Sequence, residues 1–244
     1  MAKAYTNSVQ GLFIAAMIYL AWLSHLVYWL AADLRSTPWP WIVLALLVQT
    51  WLYVGLFITA HDAMHQAVAP GRRRINLWVG RIAVLSYALF SFDKLLRRHG
   101  LHHSFPASNR DPDFHDGVHT SSLRWYLHFM SHYLTIPQLI GMALLFNLLQ
   151  HIAGAALENL LILWAAPALL STWQLFYFGT YLPHRLPPGG YQPPHRAVSS
   201  DYPVWLSLLT CYHFGYHSEH HQQPTVPWWG LPAWRAKKNK QQTA

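Results

Sequence analysis

Long apolar runs broken by short polar stretches set the pattern of this chain. A helix needs about 20 apolar residues to cross roughly 30 Å of hydrocarbon. Four stretches meet that demand, at about residues 11 to 31, 40 to 60, 127 to 149 and 156 to 182. The third carries His128, His132 and Pro137, and the fourth carries Glu158 near its start and Pro167 inside, so kinks or ragged ends are expected in both. Residues 75 to 92 form a shorter piece interrupted by Arg81, better suited to an interfacial or half-buried helix than to a span. Residues 203 to 216 are shorter still, and the nearby Trp228, Trp229 and Trp234 read as aromatic interface anchors. The pattern predicts an all-α integral membrane protein with four transmembrane helices plus interfacial or half-buried helices. No repeat, low-complexity tract or linker divides residues 1 to 244, so a single domain is expected; Pro183 to Pro194 and the last ten residues read as loop and tail.

Composition agrees with a membrane protein. Only 11% of residues are charged and 53% are hydrophobic, against roughly 25% charged in a soluble domain. The formal charge of +8 does not point to nucleic acid, because the cations sit between apolar runs instead of along an amphipathic surface. They suit lipid headgroups and topology. Arg35 is the only Lys or Arg around residues 32 to 39, and residues 150 to 155 have none. The other sixteen of the 17 lie at the N-terminus, in residues 61 to 126 or beyond residue 182. Both termini and the long histidine-bearing segments are therefore expected on the cytoplasmic side. The N-terminus, with Lys3 before a long apolar run, reads as a first anchor and not a removable signal. Cys211 is the single cysteine, which excludes an internal disulfide and a cysteine-ligated iron–sulfur centre. Electrons for any redox reaction must then come from another protein.

The 17 histidines outnumber nine acidic residues. A buried imidazole is costly unless it is ligated or hydrogen-bonded. Three boxes stand out: His61-Asp-Ala-Met-His65, His99-Gly-Leu-His102-His103 and His217-Ser-Glu-His220-His221. Helical positions three or four apart share a face, so each box presents two or three imidazoles in one direction. His61 and His65 directly follow the second expected span, and the charge count puts the other boxes on the same side. Eight imidazoles exceed what one ion takes, since a structural zinc uses four ligands, and two metals are the economical reading. The Glu-x-x-His pairs of carboxylate-bridged bundles are missing from the sequence, which implies an iron centre held mostly by neutral nitrogen. Asp62, Glu219 and Asp93 are candidates to accept ring N–H groups and orient the ligands. Asp111 and Asp113 could do the same or simply form Asx turns. His25, His115, His119, His128, His132, His151 and His195 read as hydrogen-bonded or surface groups. A non-catalytic metal or haem binder is the rival from another class; it predicts polar residues within the spans to pass an ion along, whereas the spans are poor in ionisable groups and the boxes gather at one end.

The boxes resemble those of the membrane fatty-acid desaturase and hydroxylase superfamily. The longer strings His61-Asp-Ala-Met-His65, Asp111-Pro-Asp-Phe-His115 and His213-Phe-Gly-Tyr-His-Ser-Glu-His-His221 resemble bacterial beta-carotene ketolases, over nearly the whole chain. The resemblance implies a non-haem di-iron oxygenase of a bacterial inner membrane, using O2 and electrons from a ferredoxin and its reductase. It would hydroxylate C4 of a beta-ionone ring twice and lose water to leave a ketone, taking beta-carotene through echinenone to canthaxanthin, with hydroxylated rings such as zeaxanthin as further substrates leading to astaxanthin. A carotenoid 3-hydroxylase or other lipid hydroxylase or desaturase is the alternative within the superfamily. Related enzymes also place a histidine on the helix before the last box; His184 matches that place, and His213 competes for it. Phe92, Trp173, Phe176, Tyr177 and Phe178 are candidates to line an apolar substrate tunnel. The basic tail Arg235-Ala-Lys-Lys-Asn-Lys240 reads as a lipid contact or as a docking surface for an acidic ferredoxin.

Overall fold

The computed structural model describes residues 7 to 242, whose regular structure is helical throughout. Helix α1 runs Ser8–Ala31, with Asn7 as N-cap accepting from the Gln10 N–H at 2.9 Å. Helix α2, Trp39–Met64, starts with Pro40 in its first turn, where the missing N–H costs nothing. It packs against α1, against α3 (Arg73–Ala88) and against the long helix α7 (Leu157–His184). Its histidine-box half, Thr50 to Met64, is almost wholly buried, and Tyr53, Tyr87, Trp22, Leu160 and Tyr212 form the core around it.

Helices α1, α2 and α7 are each long and apolar enough to cross a membrane. The expected third span, about 127 to 149, is not one straight helix. It divides into α5 (Ser122–Tyr133) and α6 (Ile136–His151), bent by 90° at Leu134 and Thr135. The cause is Pro137, which has no N–H to continue a helix, while Thr135 turns extended and caps the new helix through Oγ1 to the Gln138 N–H. A second bent pair joins α3 to α4 (Phe92–Ser104) at 104°. There Leu89 takes a left-handed conformation (φ 56°), Phe90 N–H closes back onto Val84 O at 3.1 Å, and Ser91 caps α4.

Helix α7 carries two π-helical segments, Leu161–Ala165 and Tyr177–Tyr181, each a few residues from a proline, Pro167 or Pro183. Proline removes the N–H that would bond four residues back, and the wider turn absorbs the defect. The second widening re-aims the last turn, which carries His184. After it, α8 (Val204–Cys211) ends on two left-handed residues, Tyr212 and His213 (φ 48° and 61°), which reverse the chain into α9 (His217–Gln222). The basic helix α10, Leu231–Gln242, follows.

Candidate metal centre

Four segments deliver histidines to one place: the last turn of α2, the C-terminal half of α4, the end of α7 and the short helix α9. The nitrogens fall into two sets. His61, His65, His99, His103 and His220 form one, and His102, His184, His217 and His221 the other; within each set one ligand atom per residue lies within 4.8 Å of all the others. All eight box histidines and His184 are brought together. His213 is in neither set; it stacks on Tyr216 and stands beside Trp228.

Helical geometry explains the partition. In the second box the i, i+4 pair His99 and His103 faces one set, and His102 turns to the other. The third box is the mirror case, with His217 and His221 in one set and His220 crossing over. The two helices therefore clasp the same centre from opposite sides.

The spacing suits ligation. Nε2 atoms stand 2.7 Å apart for His65 and His99, 3.0 Å for His103 and His220, 2.9 Å for His184 and His217, and 3.1 Å for His102 and His221. Nitrogens bound about 2.1 Å from one ion lie roughly 3 Å apart when adjacent. The His61 Nε2 atom is buried with no hydrogen-bond partner, a state that an ion in the set would relieve. Burial and the neighbouring imidazoles hold His217, His220 and His221 well below the usual histidine range, so they stand as neutral donors.

Several rings are locked from behind. His102 Nδ1 donates to Asp111, whose carboxylate also accepts the N–H of Ala107 and of Asp113. His184 Nδ1 donates to the Arg196 carbonyl at 3.1 Å. His61 Nδ1 lies 3.3 Å from Asp62, which is fixed by the Trp228 N–H at 2.9 Å. Each contact leaves Nε2 as the lone-pair nitrogen facing the centre. Asp113 receives the Tyr133 hydroxyl and lies 3.7 Å from His102; burial, with Asp111 alongside, pushes its carboxyl up to about 6.

The remaining acidic candidates do other work. Asp93 pairs with Arg81 at 3.0 Å, at the start of α4 and remote from the ligating turn. Glu219, although inside a box, points away from the rings to the Ser199 hydroxyl, with Arg235 at 3.9 Å. On a helix the residue next to a ligand faces elsewhere.

An apolar cavity of about 80 Å³ opens against both sets, touching His61, His99, His102 and His217. Its aromatic walls are Phe57, Tyr87, Phe90, Phe129, Tyr133 and Phe214. None of the expected Phe92, Trp173, Phe176, Tyr177 and Phe178 lines it. Phe92 packs onto Gly80, where an added Cβ would stand 2.0 Å from its ring, and Phe176 joins Trp125 and Tyr126 in the core. One of the missed residues was legible: Phe57 precedes His61 by four positions on α2, the spacing that shares a helical face, whereas Phe214 lies in the turn before α9.

Residues 134–243 match the family model described as Fatty acid desaturase. The likeness to individual proteins extends further. A beta-carotene ketolase of Paracoccus sp. (strain PC1) is 41% identical over 233 residues, which cover 94% of this chain and 93% of that protein. The chain belongs to the beta-carotene ketolase family. A zeaxanthin 4-ketolase of Chlamydomonas reinhardtii is 39% identical over 235 residues, and the chain spans 52% of that relative's length. A ketolase of Haematococcus lacustris is 42% identical over 197 residues, covering 61% of that protein. For a ketolase-family member, histidine clusters able to hold metal beside an apolar cavity are the arrangement that oxidation of a hydrocarbon ring requires.

Proposed function

We propose that this chain is a membrane carotenoid 4-ketolase in which the five-histidine and four-histidine sets each hold one iron ion. The observation that carries the reading is the placement of an apolar, aromatic-walled cavity directly against histidines of both sets, in a member of the ketolase family. Iron bound there would supply O2 activation and hydrogen abstraction from an allylic C–H.

The protein's own residues position the substrate. Phe57, Phe214 and Tyr87 would hold a beta-ionone ring by its faces, and the exclusion of water by these walls protects the oxidising step. Aim matters, because a displacement of one carbon would put oxygen on C3 instead of C4. Each hydroxylation consumes one O2, two electrons and two protons and releases one water; the resulting geminal diol loses another water to give the ketone. Beta-carotene would pass through echinenone to canthaxanthin, and zeaxanthin to astaxanthin.

Electrons would come from an acidic ferredoxin and its reductase, with Lys237 and Lys238 on α10 as the complementary charge. The helices α1, α2 and α7, with the bent α5–α6 pair as the fourth crossing, would place both termini and the histidines on the cytoplasmic side, as the cation distribution favours.

Pigment analysis of a beta-carotene-producing host expressing the chain is the test. Keto-carotenoids are the expected products; hydroxylated rings alone would assign a 3-hydroxylase instead, and unaltered carotene would reject the reading.

A further inference from the structure

The cavity beside the histidines has a neighbour nearer the surface. Phe90, Leu95 and Tyr133 line both. The outer cavity is framed by the two sharp helix breaks, Leu89 to Ser91 on one side and the Thr135 to Gln138 turn on the other. These breaks are tied together. The Gln138 side chain donates to the Ala88 carbonyl at 2.7 Å, and a Cβ on Gly141 would stand 2.8 Å from the Leu89 side chain, so α6 packs directly on the α3–α4 turn. The surroundings are apolar and open: Leu85 is 56% exposed and Ile136 69% exposed. Ser91, Lys94, Thr135 and Gln138 supply the polar part of the rim.

We propose that this outer cavity is a lateral portal from the bilayer and the binding segment for the polyene of the substrate. The inference rests on the ketolase reading above. One ring lies at the histidines, the chain passes between Phe90, Leu95 and Tyr133, and the far half leaves through the gap between the two breaks into hydrocarbon.

Three observations support the assignment. First, the inner cavity, at about 80 Å³, is far smaller than a polyene that carries a ring at each end. A rod with a ring at each end exceeds that, so it must protrude through an opening. Second, the segments that carry its rim also expose the apolar Leu85 and Ile136, so a membrane-dissolved substrate can approach without exposing its apolar surface to water. Third, the backbone frame is fixed by the Gln138 tie and the Gly141 contact, and Tyr133 is held by Asp113, which leaves side-chain motion at Phe90 and Leu95 as the gating motion.

The experiment uses the purified full chain in lipid nanodiscs with Lys94→Cys. Cys211 is fully buried, which shields the native thiol. The new thiol is blocked with benzyl methanethiosulfonate, and the same sample is later released with dithiothreitol. Beta-carotene uptake is followed by the absorbance of pigment that remains bound after free pigment is removed. Blocking is expected to slow uptake by roughly tenfold or more, and release is expected to restore it. Carotene loaded beforehand should in turn slow the thiol's reaction with the reagent. Equal uptake by the blocked and released samples would overturn the portal. If the released sample takes up no carotene at all, the functional reading fails and the portal falls with it.

Discussion

His102 and Asp111 face each other with the imidazole Nδ1 3.0 Å from both carboxylate oxygens. The pair lies nine residues apart along the chain, across the turn that leaves α4. Asp111 is in turn held by two backbone N–H groups, so His102 has one orientation and one tautomer. That fixes the only member of its box that crosses to the four-histidine set.

Replacing Asp111 by Asn should therefore loosen the ion of the four-histidine set. An amide cannot accept the ring N–H through both atoms, and loss of such an orienting partner typically weakens metal binding by about 10–100-fold. Iron retained per chain after dialysis against a chelator measures this. Retention equal to the parent protein would show that Asp111 serves only the local turn.

His184→Ala and His213→Ala separate the two histidines that competed for the ninth place. Iron content by mass spectrometry is expected to drop in the first and to hold in the second, because His184 Nε2 faces His217 at 2.9 Å whereas His213 stacks on Tyr216. The opposite pattern would move His213 into the ligand set.

At Gly179 the missing side chain makes room for Phe214, since a Cβ there would lie 2.6 Å from the ring. Phe214 also sits 4.5 Å from the His61 ring and walls the cavity. Gly179→Ala should cost about 1–3 kcal/mol through overpacking. It should also shift oxidation from the 4-keto product toward hydroxylated or unreacted rings. Thermal unfolding in detergent and pigment chromatography read the two effects; a variant with parental stability and products would contradict the tight contact.

Acidification should destabilise the fold partly through His213. Burial lowers it to about 4, so between the ordinary histidine value of 6.5 and that point the unfolded chain binds a proton that the folded chain does not. Its favourable contribution is complete above 6.5 and lost as the pH falls toward 4. His213→Asn tolerates the left-handed backbone (φ 61°) and removes the titration. The fall in unfolding midpoint between pH 7 and pH 4.5 should shrink by the equivalent of up to about 3 kcal/mol, with both proteins compared in the same metal state. An unchanged fall would assign the acid sensitivity elsewhere.

Local rules made much of the site readable. Box spacing of three and four places imidazoles on one helical face whatever surrounds them, and all eight box residues enter the two sets. The same periodicity would have found Phe57 on α2, but not Phe214, which sits in the turn before α9. It misleads for Glu219, which lies within a box but on the face turned to Ser199. The aromatic run Trp173 to Phe178 looked like a tunnel wall because composition does not reveal which face of α7 meets the cavity. Helix breaks were only half legible: Pro137 announced the α5–α6 bend, but the turn at Leu89 has no glycine or proline to mark it.

The sequence by itself determined that apolar helices would carry clustered imidazoles, because hydrophobic length and i, i+4 spacing are properties of a single segment. Only the tertiary structure decided how those imidazoles divide into five and four, that Asp111 stands behind His102, and that Phe90 and Tyr133 meet at the cavity. Those relationships join residues on different helices, and their geometry depends on the bends and π-helical turns that aim each helix end. Packing sets those angles, and no one segment encodes them.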